Sequence, residues 1–360
     1  HWVERGWLTS IARPAAQLRR IAPLVRATAD SEQALARDPR AQQARLPRQA
    51  FETIRTGLAS GPVLVQVPRA GYLLALSCQR CRTPVRCKNC SGPVRMTSNA
   101  NQPQRRQLSC GWCARIITNW RCQVCGGDQL RAPVVGSQRT GEELGRAFPG
   151  YRVITSSAQR RVPEVGEQPA LVVSTPGAEP VPSHGYAAAV LLDASLMLTR
   201  ADLRAAEEAL RRWLNAISLV RGGADGGAVC VVGPSEERTV QALVRCDPGG
   251  FASRELADRR AAGFPPASRL ITIDGPAAEV PDFTQGLASS AEILGPVPLA
   301  RQAMTSTMAA LGDEDLVRLM LRSSLADAAE LTASVKAIAA GRSARKLPAV
   351  RICVDPQELG

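Results

Sequence analysis

Cys78-Gln79-Arg80-Cys81, Cys87-Lys88-Asn89-Cys90, Cys110-Gly111-Trp112-Cys113 and Cys122-Gln123-Val124-Cys125 decide how the chain is read. Eight of its 11 cysteines fall in these four turns. A Cys-x-x-Cys turn points two thiolates the same way, and two such turns complete a tetrahedral S₄ zinc site. Four turns make two closed sites with no position left for water, which is the pattern of structural zinc. A disulfide scaffold needs an oxidising compartment, and nothing in the chain resembles a signal peptide. Iron–sulfur ligation also uses four cysteines, but evenly patterned pairs fit zinc better. The five residues between Cys81 and Cys87 are too few to fold two adjacent turns onto one ion. The nineteen between Cys90 and Cys110 suffice for a ribbon hairpin. The favoured scheme is therefore nested: Cys87, Cys90, Cys110 and Cys113 on one zinc, Cys78, Cys81, Cys122 and Cys125 on the other. A crossed pairing is its competitor.

Residues 78–131 also carry Arg80, Arg82, Arg86, Lys88, Arg95, Arg105, Arg106, Arg115, Arg121 and Arg131 against a single acid, Asp128. Eight thiolates and two Zn²⁺ together carry −4, so the module keeps a net charge of about +5. Trp112 and Trp120 stand among these cations. Arginines suit phosphates and indoles suit base stacking. The other reading of Trp112 and Trp120 is that they pack a core too small for zinc alone to hold. On the first reading, Arg105, Arg106, Arg115, Arg121, Lys88, Trp112 and Trp120 are candidate DNA contacts. Cys230, Cys246 and Cys353 stand singly and read as inert packing residues.

Outside this window the chain is an ordinary globular one. Its 360 residues imply two to four domains. The mean hydropathy of −0.09 excludes wholesale disorder. No apolar run approaches the ~20 residues of a membrane span, so no membrane role is expected. The net charge of +13 points to an anionic partner. Because 42 of the 45 cations are arginine, coding bias accounts for part of that excess. Nucleic acid remains a better partner than membrane, since no basic amphipathic segment carries an aromatic face. The opening residues show neither an initiator Met nor a signal pattern, so the chain reads as starting mid-protein.

Residues 1–46, broken by Pro14, Pro23 and Pro39, read as a tail and linker. A β/α rhythm follows: a helix over 49–58, a strand over 63–67, then, beyond the cysteines, a helix over 142–147. Strands are expected over 151–154, 171–174, 187–192 and 228–232, with a helix over 200–219. Continuous apolar strands between helices indicate a parallel α/β sheet, into which the cysteine module is inserted. After Gly263-Phe264-Pro265-Pro266 the rhythm becomes β-α-β-β-α-β, with helices over 279–294 and 325–340. That is a ferredoxin-like order.

Several segments together resemble one family. Arg69-Ala70-Gly71-Tyr72 runs into the cysteine spacing. Thr140-Gly141-Glu142-Glu143-Leu144 and Phe148-Pro149-Gly150 follow the module. Leu191-Leu192-Asp193, Asp202, Arg204, Glu207, Arg259-Arg260, Pro265-Pro266, Leu294-Gly295-Pro296 and Val354-Asp355-Pro356 come next in order. These are similar to the C-terminal half of the PriA family of primosomal replication-restart proteins, superfamily 2 DNA helicases. The resemblance implies a RecA-like helicase lobe 2 with a parallel sheet over 47–77 and 132–262. Its inserted double-zinc module, with four cysteines to each ion, covers 78–131. Residues 263–360 become a C-terminal ferredoxin-like α+β domain, and residues 1–46 the tail of an upstream helicase lobe 1.

Two departures from the family matter for activity. Motif V is replaced by Ser174-Thr175-Pro176-Gly177-Ala178-Glu179-Pro180, and motif VI retains at most Arg221, a degenerate nucleotide site. Phosphoryl transfer needs cations aimed at the γ-phosphate. No lysine follows a glycine, so no Walker A is present either. The reading is therefore a replication-restart protein that binds forked or single-stranded DNA with two Zn²⁺, without ATP hydrolysis of its own. Implied partners are a single-stranded DNA-binding protein and primosome or replicative helicase-loading components, in the cytoplasm at the nucleoid. An active helicase with its motor upstream and a zinc module that binds only protein are the alternatives. The family's basic hairpin is replaced by Leu311-Gly312-Asp313-Glu314-Asp315, read as a solvated tip. His184 reads as a surface group, and Gly222–Gly227 as a flexible turn.

Overall fold

The computed structural model describes residues 2–4, 6–39, 41, 44–68, 76–81, 83–99, 102–110, 115–131, 136–198, 202–287, 291–299 and 316–356. For residues 95, 97–99 and 102–106 only the backbone is described. Two compact units result, Ala12–Phe251 and His1–Ile11 with Ala252–Gly360.

In the first unit α1 (Ala15–Ile21) leads into β1 (Leu24–Ala27), followed by α2 (Glu32–Arg37), α3 (Arg48–Leu58) and β2 (Val63–Gln66). The cysteine module contributes β3 (Ser77–Cys78), β4 (Val94–Asn99), β5 (Gln102–Cys110), β6 (Ile116–Ile117) and β7 (Leu130–Arg131). The chain returns through α4 (Ser137–Ala147), β8 (Arg152–Ser156), β9 (Glu164–Val165), β10 (Ala170–Ser174), β11 (Val181–Pro182) and β12 (Ala188–Leu191). It closes with α5 (Ala194–Leu198), α6 (Ala205–Ile217), β13 (Ala228–Val231) and α7 (Arg238–Val244).

Six strands form one parallel sheet in the order β1-β13-β12-β2-β10-β8. Their apolar runs are continuous because both faces are covered. Ile54, Leu58 and Leu144 pack against Val63, Val65, Leu171 and Val190 on one face. Leu210, Trp213, Ile217 and Leu243 pack against Leu64, Val172, Ala189 and Val229 on the other. Truncating a buried tryptophan such as Trp213 costs ~3–5 kcal/mol. That exceeds the ~1–3 kcal/mol penalty of its buried Nε1, which finds no hydrogen-bond partner among the described residues. Close approach of α3 depends on Gly57, where a Cβ would lie 2.7 Å from Ala188 Cβ and Val63 Cγ2.

The linker reading of the first 46 residues is corrected at β1. Leu24–Ala27 pairs along its whole length with β13, and Leu24 N–H donates to Gly227 O at 2.9 Å. The strand escaped notice because it is four residues long, carries Arg26 and alternates exposed with buried as an edge does. The turn expected to be flexible is the short 3₁₀ segment Gly223–Asp225, docked where Gly223 N–H donates to Ala22 O at 3.0 Å. The helix expected over 200–219 is shorter, α6 alone, and Asp202 Oδ1 accepts from Arg204 N–H in the turn before it.

In the second unit, α8 (Pro248–Ala262), which begins in the first, precedes β14 (Arg269–Pro276), α9 (Asp282–Gln285), β15 (Glu292–Pro298), β16 (Leu316–Ser323), α10 (Ala328–Ala344) and β17 (Arg351–Val354). The four strands are antiparallel in the order β15-β16-β14-β17. The helix expected over 279–294 shrinks to α9, which closes at Gly286, whose N–H donates to Asp282 O. Ile293 and Leu294 instead pair with Leu321 and Met320 of β16. Ile271, Ile273, Phe283, Leu319, Leu331 and Val335 make the core. Asp313-Glu314-Asp315 lies outside the described residues. No helix among those described is long and apolar enough to cross a membrane.

Candidate metal centre

Each Cys-x-x-Cys turn is closed by the same main-chain bond. The first cysteine donates its N–H to the carbonyl five residues on: Cys78 to Thr83 (2.9 Å), Cys87 to Gly92 (2.9 Å), Cys110 to Arg115 (2.9 Å) and Cys122 to Gly127 (2.8 Å). Two turns add a return bond, from Ser91 N–H to Cys87 O and from Gly126 N–H to Cys122 O, each 2.9 Å. Ser91 and Gly126 accordingly take positive φ, 57° and 70°. In the three turns whose cysteines are both described, this geometry aims both sulfurs to one side.

Pairing of β3 with β7 brings the first and last turns together, because Cys78 lies opposite Leu130. The hairpin of β4 and β5 does the same for the inner pair, since it starts just after Cys90 and ends at Cys110, opposite Val94. The sulfurs of Cys78, Cys81, Cys122 and Cys125 lie within 4.8 Å of one another, as do those of Cys87, Cys90 and Cys110. This is the nested arrangement, not the crossed one. Cys113 lies outside the described residues.

The sulfurs fit an ion better than they fit disulfides. Cys78 to Cys125 is 3.5 Å, and Cys81 to Cys122 and Cys90 to Cys110 are each 3.4 Å. A tetrahedral zinc with Zn–S of ~2.3 Å sets sulfurs about 3.8 Å apart, whereas a disulfide needs ~2.05 Å. Every described cysteine is a free thiol. The Thr83 hydroxyl and amide bring the Cys81 thiol down to about 6. Although the Gly127 amide lowers it, the Cys81 sulfur, burial and the Cys78 sulfur together push Cys125 up to about 12. Four sulfurs this close cannot all ionise without a cation among them. By contrast, burial raises the single Cys230 to about 12, as suits an inert packing residue.

The module's own apolar core is small: Leu76, Val85, Cys87, Val94 and Cys110, with Trp120 packed against it. Trp120 is half-buried and packs one side against this core, which is what the packing reading expects of it. Arg80, Arg86, Lys88, Arg115 and Arg121 are exposed and have no acidic partner among the described residues. Trp112 and the side chains of Arg105 and Arg106 lie outside the described residues.

Beyond the module, β2 and β12 are neighbours whose connections leave in opposite directions, toward β8 and β13. Open α/β sheets bind ligands at such a crevice, beyond the carboxyl ends of the strands. Here it holds carboxylates. Glu179 accepts from Gln66 Nε2 (2.7 Å) and Gly177 N–H (2.8 Å). Arg45, which the sequence reading passed over, is fully engaged by Asp193 (3.1 Å), Glu143 (3.0 Å) and the Thr140 hydroxyl (2.7 Å). Burial raises the Asp193 pKa against the opposing pull of Arg45. Arg221 sits at the other edge, donating to Ser60 O (3.1 Å) and His184 O (3.2 Å). His184 is exposed and paired with Glu167 at 2.8 Å.

Residues 260–357 match the family model described as Primosomal protein N C-terminal domain. The chain is 43% identical over 369 residues to the probable replication restart protein PriA of Mycobacterium tuberculosis H37Rv, covering 99% of this chain and 56% of that protein. It is 44% identical over 364 residues to the protein of the same description in Mycobacterium leprae, covering 99% of this chain and 55% of that one. Similarity to the replication restart protein PriA of Thermotoga maritima is lower, 23% over 241 residues. The chain thus spans a little over half the length of the mycobacterial relatives.

Proposed function

The chain belongs to the PriA family of replication restart proteins, and on that premise we propose that it is a DNA-binding scaffold of replication restart that does not itself hydrolyse ATP. Cys78, Cys81, Cys122 and Cys125 hold one Zn²⁺, and Cys87, Cys90, Cys110 and Cys113 a second. These ions supply cross-links to a module whose core is too small to fold alone. Arg80, Arg86, Lys88, Arg115 and Arg121, with Arg105 and Arg106, contact phosphates of forked or single-stranded DNA. The six-stranded unit corresponds to a RecA-like helicase lobe 2 that begins at β1, and the antiparallel unit to a ferredoxin-like domain. Partners are a single-stranded DNA-binding protein and helicase-loading components of the primosome, in the cytoplasm at the nucleoid.

The observation that carries this reading is the cluster of exposed cations without acidic partners around two thiol cages. Glu179, an acid at the crevice, and the position of Arg221 at the opposite edge, held by two carbonyls, support the absence of phosphoryl transfer, because neither aims a cation at a γ-phosphate in the crevice.

Binding of fluorescent forked DNA, followed over a salt series, tests it. Replacing Arg105, Arg106 and Arg115 by alanine should weaken binding of unrelated sequences alike and flatten the log K against log salt slope by about 2–3. Unchanged affinity would remove the module from the DNA interface. Hydrolysis of ATP stimulated by the fork would instead favour an active helicase.

A further inference from the structure

The amino-terminal edge of the parallel sheet carries a second basic feature, distant in sequence from the cysteines. The last turn of α1, the Gly223–Asp225 turn and the end of α7 enclose a cavity of about 710 Å³. Arg19, Arg20 and Arg245 line it, together with the apolar Pro23, Leu24 and Val25, and no acidic residue does. Arg19 Nε donates to Arg245 O at 3.1 Å, which fixes that guanidinium at the rim. Elsewhere in this unit Arg45, Arg48, Arg139, Arg211 and Arg212 are each paired with a carboxylate. None of these three arginines has an acidic partner among the described residues. Leu24 also lines a second cavity of about 250 Å³, which contains Arg26 and one acid, Glu52, itself paired with Arg48 at 2.7 Å. The two cavities therefore adjoin along β1.

Clustered guanidinium groups without counter-charge repel one another, and an oxyanion removes that cost. The larger cavity has the volume of a drug-sized ligand and far exceeds one phosphate. Its mixed lining offers arginines to a phosphodiester and apolar surface to a sugar. We propose that this groove is a second nucleic-acid track, which takes the phosphodiester backbone of a single strand along Arg20, Arg245, Arg19 and Arg26. The assignment rests on the DNA-binding reading above but uses residues that it does not.

The full chain is titrated with a labelled oligothymidylate over a salt series, beside the variant Arg20→Ala/Arg245→Ala. Both side chains are exposed and lack acidic partners among the described residues, so the melting temperature should not fall. Losing two phosphate contacts flattens the single-strand slope by about 1.4, equivalent to about 25-fold weaker binding at 0.1 M salt when affinities converge at about 1 M. Wild-type binding with no loss in this variant overturns the groove and leaves the module reading intact. Absence of wild-type binding overturns the DNA reading itself, and the groove with it. In a parallel arm, inorganic phosphate is added at constant ionic strength. If it raises the melting temperature through Arg20 and Arg245 while oligonucleotide binding ignores them, the site belongs to free phosphate and the strand assignment fails.

Discussion

Exchanging Cys78 and Cys122 together for serine should release one metal ion per chain, unfold residues 78–131 and weaken DNA binding at least tenfold. Both thiols are buried, and they come from opposite ends of the module. Their loss therefore opens the closure that β3 and β7 make. Structural zinc binding supplies ~10–16 kcal/mol in small domains, which the few apolar residues of this core cannot replace. The main sheet has its own two-sided core and should keep its melting transition. Protease digestion should then cut within the module alone. Cys230→Ser is the comparison: it also alters a buried thiol but should leave the metal content unchanged. If the double variant keeps its full metal content and its protection, the cage is not formed by these sulfurs.

A large effect is also expected in the second unit from Asp274→Ala. Asp274 and Arg318 are register partners on β14 and β16, joined by two bonds of 2.7 and 2.9 Å. Their side chains are only 2% and 8% exposed. Removing the carboxylate breaks two charge-assisted bonds to a buried guanidinium, which costs ~3–5 kcal/mol. Replacing both partners by leucine should restore most of that stability, because a buried pair scarcely outperforms apolar packing. Denaturant unfolding of the wild type, the single variant and the double variant measures the coupling. A single variant within about 1 kcal/mol of wild type, as at an ordinary surface site, would show that the pair is not buried in solution.

What the sequence discloses follows from how local each signal is. The cysteine turns are local, so the module is legible from spacing, whereas the choice of nesting over crossing needs the strand pairing of β3 with β7 and β4 with β5. Leu171–Ser174 and Ala187–Leu192 are runs buried on both faces, and they read directly as parallel strands. β1 was hidden because edge strands mix charge with apolar residues. The helices α7 and α8 were passed over as well. α8 opens on Pro248-Gly249-Gly250 and carries charges around its circumference, so it lacks an apolar stripe. The clamp that Arg45 makes on Asp193 and Glu143 joins residues about 100 and 150 positions apart, and no local pattern announces such a contact. Arg342 is similar. It is buried against Phe283, Glu279 and Asp282, yet its helix neighbours give it the look of a surface cation.

On the proposed reading, two tetrathiolate ions fasten an arginine-rich module onto the parallel sheet. The most direct test is the metal-to-chain ratio of the purified protein, measured by inductively coupled plasma mass spectrometry. The expected ratio is about two, all zinc. A ratio of one or less, or iron in zinc's place, would contradict it.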